Sequence, residues 1–273
     1  MIELVDVTRK YGEKTAVNGL SLVIPQGELF AFLGPNGAGK TTTIKMLVGL
    51  LRPSAGAVRL CGYDVVTQTR EAQLRLSYVP DQPHLYDKLT GREFLQFVVD
   101  LFGLPRDVAA ERIAREIAHF ELADFVDDLT ESYSHGMKQR LVFASALLHD
   151  PQVLVIDEPM VGLDPRSMRV VKDLLREQAS RGTTIFMSTH TLDIAEEIAD
   201  RIGIIAGGQL RFLGTVTELE AQLELEGTSL ERLFLTLTDG HRASTNGRTR
   251  PPSTETEQAP PRPSTAAHVD AKT

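Results

Sequence analysis

The spacing of apolar residues changes from segment to segment along this chain, and it predicts most of the elements. Apolar and polar positions alternate over residues 2–7 and again over 20–24. A period of two predicts strands of an antiparallel region with one buried face. Residues 29–33 are apolar without interruption and end at Gly34; similar runs cover 153–156, 184–188 and 202–205, and residues 76–80 read as a further short strand. A run that is apolar on both faces predicts a strand inside a parallel sheet. Between these runs the period turns helical, as in Ile44, Leu47, Val48 and Leu51, in Val170, Leu174 and Leu175, and in Ile194 and Ile198. Strands and helices in alternation predict an α/β fold with a mostly parallel sheet. Over about residues 85–150 the alternation stops. Helical spacing holds throughout, in Phe94, Phe97, Val98, Leu101 and Phe102, in Ile113, Ile117 and Phe120, and in Leu141, Ala144, Leu147 and Leu148. This predicts an α-helical subdomain inserted into the core, with Phe94, Phe97 and Phe102 inside it.

Composition narrows the class. The chain has 273 residues, 42% hydrophobic and 24% charged, enough for a sizeable core. Its formal charge of −8 argues against a nucleic-acid partner, which calls for a basic face. A single cysteine, Cys61, excludes an intrachain disulfide framework and a Cys-rich zinc site, and points to a reducing compartment. No run reaches the ~18–20 apolar residues that cross a bilayer, and the first residues show no signal-peptide pattern. From Asp239 onward the composition shifts. This end holds 5 of the 14 prolines, no Phe, Tyr or Trp, and a net charge of +1. Such a segment cannot offset its conformational entropy by burial. The expected organisation is a folded part over 1–238 and a disordered tail over 239–273.

The first candidate chemistry follows the strand at 29–33. Gly34-Pro35-Asn36-Gly37-Ala38-Gly39-Lys40-Thr41 matches G-x-x-x-x-G-K-[ST] in full and opens a helical pattern, the context this phosphate-binding motif requires. Glycines let successive backbone N–H groups turn toward an anion, and the helix N-terminus adds partial positive charge. Lys40 supplies a cation to the outer phosphates. The Thr41 hydroxyl is a Mg²⁺ ligand candidate, and Thr42 adjoins it in the nucleotide-binding set. Such a site needs an acidic partner. The strand 153–156 runs into Asp157 and Glu158, which puts Asp157 at the carboxyl edge of the sheet as the metal carboxylate. Glu158 is the candidate for orienting and deprotonating the attacking water.

Three further segments narrow the branch. Tyr133-Ser134-His135-Gly136-Met137-Lys138-Gln139-Arg140 opens a helix, with Ser134 as its expected N-cap. Val161-Gly162-Leu163-Asp164-Pro165 follows the acidic strand, and a later strand ends in Ser188-Thr189-His190. In this order the motifs resemble those of the ATP-binding subunits of ABC transporters. The resemblance extends over about residues 1–238, and the wording is similar to the export-type branch of drug and ion efflux ATPases.

The resemblance implies a P-loop NTPase core that binds ATP and Mg²⁺ and hydrolyses ATP. It implies a head-to-tail pair of protomers sandwiching two nucleotides, here a homodimer. A separately encoded integral membrane permease would be driven by this pair, with the chain peripheral on the cytoplasmic face of the membrane. Tyr11 would stack on adenine, and Ser134, His135 and Gly136 would meet the γ-phosphate bound by the other protomer. Asp164 would bridge the dimer interface, and His190 would join Glu158 in catalysis.

Two departures from the family pattern stand out. Tyr133, His135 and Met137 replace the Leu, Gly and Gln of the usual Leu-Ser-Gly-Gly-Gln signature, which leaves its glutamine role vacant or taken by Gln139. Where a glutamine is expected after the strand at 76–80, Asp81 stands, with Gln82 one position late. Either is the candidate for the metal contact there. The segment 82–89 is expected to meet the membrane partner. A DNA-repair or ribosome-associated relative of these ATPases is disfavoured, because the chain has no long heptad insertion and no second nucleotide cassette.

Overall fold

Residues 1–225 and 227–245 are described by a computed structural model. The chain opens with β1 (Ile2–Tyr11), β2 (Lys14–Ile24), β3 (Leu29–Leu33) and α1 (Lys40–Leu47). Next come β4 (Ala55–Leu60), β5 (Tyr63–Asp64), α2 (Thr69–Gln73) and β6 (Leu76–Val79). The inserted helices are α3 (Gly91–Leu101), α4 (Arg106–His119) and α5 (His135–Leu147). The second half holds β7 (Val153–Asp157), α6 (Pro165–Ser180), β8 (Thr184–Thr189), α7 (Leu192–Ile198), β9 (Arg201–Ala206), β10 (Gln209–Gly214), α8 (Val216–Leu223) and α9 (Leu230–Thr245).

These strands build two sheets. The smaller has the order β2-β1-β4-β5 and is antiparallel. The larger has the order β10-β9-β3-β8-β7-β6; all its pairings are parallel except that of the edge strand β10. The apolar run of β3 explains its central place. Leu29, Ala31 and Leu33 enter the core shared with the helices, while Phe30 and Phe32 point to the core between the two sheets. There they pack with Phe186 of β8 at ring distances of 5.7 and 5.2 Å. Parallel order brings the carboxyl ends of β3, β7 and β8 to one edge, the edge on which α/β folds bind ligands.

The inserted subdomain differs from expectation at Phe97, and Phe102 is only half-buried. Phe94 is buried, but Phe97 is 42% exposed and meets Tyr86 edge-on at 5.5 Å. Phe97 lies three residues on from Phe94 and four before exposed Leu101, so it sits on the outer shoulder of the apolar face of α3. At the chain's other end, α9 runs to Thr245, past the boundary expected at Asp239. Leu230 and Leu233 bury its first turn. The Thr236 and Thr238 hydroxyls donate to the carbonyls of Arg232 and Phe234 one turn back, each at 2.9 Å. Residues 246–273 of the expected tail lie outside the described residues.

His149 joins the subdomain to the core. Its ring stacks on Phe102 at 3.7 Å, and Nε2 lies 3.2 Å from the Leu76 carbonyl oxygen, to which it donates. The other nitrogen, Nδ1, is buried with no partner. Burial pushes the His149 pKa down to about 4; the Leu76 carbonyl and Asp150 oppose the shift, and Arg112 adds to it. The folded chain therefore refuses a proton that the unfolded chain accepts. Stability is full above pH ~6.5 and is lost as pH falls toward 4, by about 3 kcal/mol if this group alone titrates. His149→Phe, which keeps the stacking ring, is expected to flatten that part of the pH–stability curve in denaturant titrations. An unchanged slope between pH 6.5 and 4 would assign the sensitivity to other groups.

Candidate functional site

The loop from Gly34 to Lys40 leaves the central strand and turns into α1, and its glycines are required by contact. A Cβ on Gly34 would lie 2.4 Å from the Ile205 carbonyl oxygen. Gly39 has φ of +115°, and a Cβ there would lie 2.7 Å from the Ala16 carbonyl oxygen. The loop is braced by its surroundings. Ala38 N–H donates to the Pro35 carbonyl at 3.1 Å, and Gly208 N–H donates to the Ala38 carbonyl at 3.0 Å. Asn18 N–H in turn donates to the Gly208 carbonyl at 2.8 Å, so the β9–β10 turn locks the loop to β2. Lys40 is buried. Its ammonium donates to the Gly34 carbonyl at 2.6 Å and more weakly to that of Pro35 at 3.5 Å. Desolvation lowers its pKa, while the carboxylates of Glu158 and Asp157 oppose the shift.

Two neighbouring strands deliver the acidic groups. Asp157 ends β7, is buried, and accepts a hydrogen bond from the Ser188 hydroxyl of β8. Burial raises its pKa; Asp81 and Glu158 raise it further, and Ser188 and Lys40 hold it back. Glu158 follows with φ of +51°, a left-handed conformation costly for a side chain with a Cβ. Its amide donates to the Ser188 carbonyl at 3.0 Å. Its carboxylate accepts the His190 backbone N–H at 3.2 Å and lies 2.8 Å from His190 Nδ1. The candidate base and histidine are therefore one hydrogen-bonded pair set on adjacent strand ends.

These groups surround a cleft of about 540 Å³ lined by the loop from Pro35 to Thr42, by Asp81, Asp157 and Glu158, and by Tyr11 on the far wall. Arg9 covers one face of the Tyr11 ring at 4.8 Å. Asp81 lines this cleft, whereas Gln82 lines the adjoining one with His135 and Lys138. Asp81 also lines the adjoining cleft and accepts the Gln82 amide at 2.9 Å, so of the two expected alternatives only Asp81 reaches the cleft that holds Lys40. Lys14 and Ala16 line the cleft without belonging to any motif, and Ser188, quoted only as part of the Ser188-Thr189-His190 strand end, proves to be the partner of Asp157. The Gly207-Gly208 pair, a recognisable hairpin signal between two strands, could have revealed the brace.

None of Ser134, His135 or Gly136 lines the cleft that holds Lys40. Ser134 caps α5, accepting the Met137 amide at 3.3 Å, and a Cβ on Gly136 would meet nothing within 4 Å. Gln139 is only 1% exposed, and both polar atoms of its amide are buried without partners, so it does not replace the missing signature glutamine at the surface. Helical spacing explains this: Gln139 lies on the face of α5 shared with buried Val142 and Phe143, one turn further on. Asp164 caps α6, accepting the Arg166 and Ser167 amides and the Ser167 hydroxyl, and stands apart from the cleft.

Fold and site together define a P-loop NTPase with an inserted helical subdomain. Residues 17–161 match the family described as ABC transporter. The chain is 40% identical over 234 residues to the daunorubicin/doxorubicin resistance ATP-binding protein DrrA of Streptomyces peucetius, covering 86% of this chain and 70% of that one. It is 41% identical over 208 residues to the Nod factor export ATP-binding protein I of Burkholderia orbicola, covering 76% and 68%. A solved structure described as the ATP-binding subunit of an ABC transporter superposes with a TM-score of 0.83 at 32% identity, over 87% of this chain and 99% of that one. The chain belongs to the ABC transporter family, as an ATP-binding, ATP-hydrolysing subunit. Among the described residues no helix is long and apolar enough to cross a membrane.

Proposed function

We propose that this chain binds MgATP in the cleft beside Lys40, pairs head-to-tail with a second copy, and uses hydrolysis to drive export through a separate membrane subunit. The observation that carries the reading is the convergence of Lys40, Asp157 and Glu158 on one cleft, with His190 bonded to Glu158 and the signature residues outside it. A nucleotide held by Lys40 then lacks the α5 N-terminus, which a second protomer supplies. The export direction is taken from relatives whose names specify drug resistance and Nod factor export.

In this reading the backbone of 34–41 cradles the β- and γ-phosphates, and Lys40 exchanges the Gly34 carbonyl for a phosphate oxygen. Tyr11 stacks on adenine with the face that Arg9 leaves free. Glu158 orients a water in line with the γ-phosphorus and takes its proton as the new P–O bond forms and the β–γ bridge breaks. His190 holds the Glu158 carboxylate and approaches the γ-phosphate. Thr41, Asp157 and Asp81 suit Mg²⁺. Three carboxylates face the cleft against the single ammonium of Lys40, and burial with the charges of Asp81 and Glu158 raises the pKa of Asp157, an environment that favours a cation beside it. No cluster of three or more His, Cys, Asp or Glu side chains forms a metal cage among the described residues; Mg²⁺ characteristically takes one or two carboxylates plus substrate phosphates. When bound, Mg²⁺ neutralises charge that develops between the β- and γ-phosphates.

The membrane subunit docks through a cytoplasmic segment along an apolar strip. Tyr86, within the 82–89 segment, leads to Phe97 and Leu101 and on to a groove of about 570 Å³ with Leu50 and Leu74 at its rim, all five exposed. Exposed large apolar side chains gathered along one strip suit an interaction site. Leu101→Asp is expected to leave MgATP hydrolysis by the purified chain intact and to abolish its recovery with membranes that contain the partner. Full recovery of the variant would move the docking surface elsewhere. A purified chain that releases no phosphate from MgATP, even with its partner, would overturn the functional reading itself.

A further inference from the structure

We propose that His135 is a positioning residue that couples the two nucleotide sites through a contact within each chain. The proposal rests on the reading above, in which Ser134 and Gly136 face the nucleotide held by the partner while Glu158 acts on the chain's own.

His135 opens α5 directly after its cap, Ser134. Its side chain crosses to the loop that follows the acidic strand. There Nε2 lies 3.2 Å from the Val161 carbonyl oxygen, which accepts from it. The ring lies against Gly162. A Cβ at that glycine would sit 2.5 Å from His135 Cδ2 and 2.8 Å from Nε2, so the approach is possible only because residue 162 has no side chain. From Val161 one short link leads to the water-activating group: the Val161 amide donates to the Glu158 carbonyl at 3.3 Å. A second tie runs parallel to the first, from Arg166 in the first turn of α6 to Glu121 beyond the end of α4, at 2.8 Å. The loop between Glu158 and α6 is thus held to the helical subdomain at both ends, and His135 is the tie nearest to Glu158.

Glycine, the usual family residue at this signature position, cannot make the contact; the imidazole here can. A shift of the α5 N-terminus as it takes up or releases the partner's γ-phosphate is passed through His135 to residues 161–162. From there it reaches the backbone of Glu158, which is already held in a strained left-handed conformation. Coupling between sites requires such a shared element with two arrangements. Occupancy of one site therefore sets the geometry of the base in the other, and the two ATP molecules are hydrolysed cooperatively.

The test compares MgATP hydrolysis by the wild-type chain, His135→Ala and His135→Gln, the last of which restores an N–H donor toward Val161. The wild-type chain is expected to show a Hill coefficient close to about 2, His135→Ala about 1 with a several-fold lower kcat, and His135→Gln a value nearer the wild type. A His135→Ala protein with the wild-type Hill coefficient overturns the coupling role, as does a wild-type chain that hydrolyses ATP without cooperativity. Equal loss in His135→Ala and His135→Gln also overturns it, because packing rather than the Val161 bond would then be at stake. Wild-type protein that hydrolyses no ATP would instead sink the functional reading on which the proposal stands. Should His135→Ala fail to fold, Arg166→Ala, which cuts the parallel tie from the loop side, is expected to lower the Hill coefficient partway; no change there overturns the proposal.

Discussion

Glu158→Gln is expected to bind MgATP as the wild type does and to release phosphate about 10²–10⁴ times more slowly, the range that a lost general base costs. The substitution is nearly isosteric. The glutamine oxygen still accepts the His190 backbone N–H, now 3.2 Å from the carboxylate, so the local fold is kept. Negative charge and proton affinity are lost, and with them the partner that His190 Nδ1 meets at 2.8 Å. The phosphate loop, Lys40 and Asp157 are untouched. Nucleotide thus enters and the second protomer closes over it, but the water is no longer activated. The variant should accumulate as a nucleotide-bound dimer, seen as a shift to twice the mass on size exclusion with MgATP and reversed on its removal. Phosphate release at the wild-type rate would remove Glu158 from the role assigned to it. A slow variant that stays monomeric would separate hydrolysis from dimer closure.

Why this residue could be picked out from sequence, and others not, has a physical basis. Strands β3, β7, β8 and β9 sit inside the sheet, so each is apolar on both faces and legible as an uninterrupted run. The motifs ride on the ends of those strands, and the cleft is their direct consequence. Strand β4 escaped because Ala55-Gly56-Ala57 carries little β-propensity. It forms because Gly56, at φ of +82°, lets the chain approach the β1 backbone, where a Cβ would lie 2.4 Å from the Val5 and Asp6 carbonyl oxygens. Phe97 was misjudged because helical period identifies a face but not its edge. Gln139 could not be placed on the inner face of α5 without knowing what packs on that helix, since its neighbours include apolar and charged residues alike. The choice between Asp81 and Gln82 was a matter of one residue of register in a loop, which periodicity does not resolve. The contact between His135 and Gly162 joins residues far apart in sequence and left no pattern along the chain; only the fold brings them together.

Lys40→Ala is expected to fail one step earlier than Glu158→Gln, with MgATP affinity falling about 100-fold or more. In the free chain the Lys40 ammonium is buried and held by the Gly34 carbonyl at 2.6 Å, so it is already desolvated and oriented before nucleotide arrives. A charge-assisted hydrogen bond to a phosphate oxygen is worth about 1.5–3 kcal/mol, and 1.4 kcal/mol is a factor of ten in affinity. The ammonium also does a second job. Glu158 and Asp157 both act on it, and it in turn restrains the pKa of Asp157, which burial, Asp81 and Glu158 raise. Without Lys40 the cleft faces the triphosphate with carboxylates alone, so the anion meets repulsion as well as a missing donor. Binding of a fluorescent ATP analogue, read by anisotropy, would measure the loss. Raising Mg²⁺ should recover part of it by screening the carboxylates, but not the bond that Lys40 made. Affinity within about threefold of the wild type would show that the backbone cradle and helix N-terminus hold the phosphates without the lysine. The two variants then divide the site cleanly: Lys40 governs whether ATP is held, and Glu158 governs what becomes of it once held.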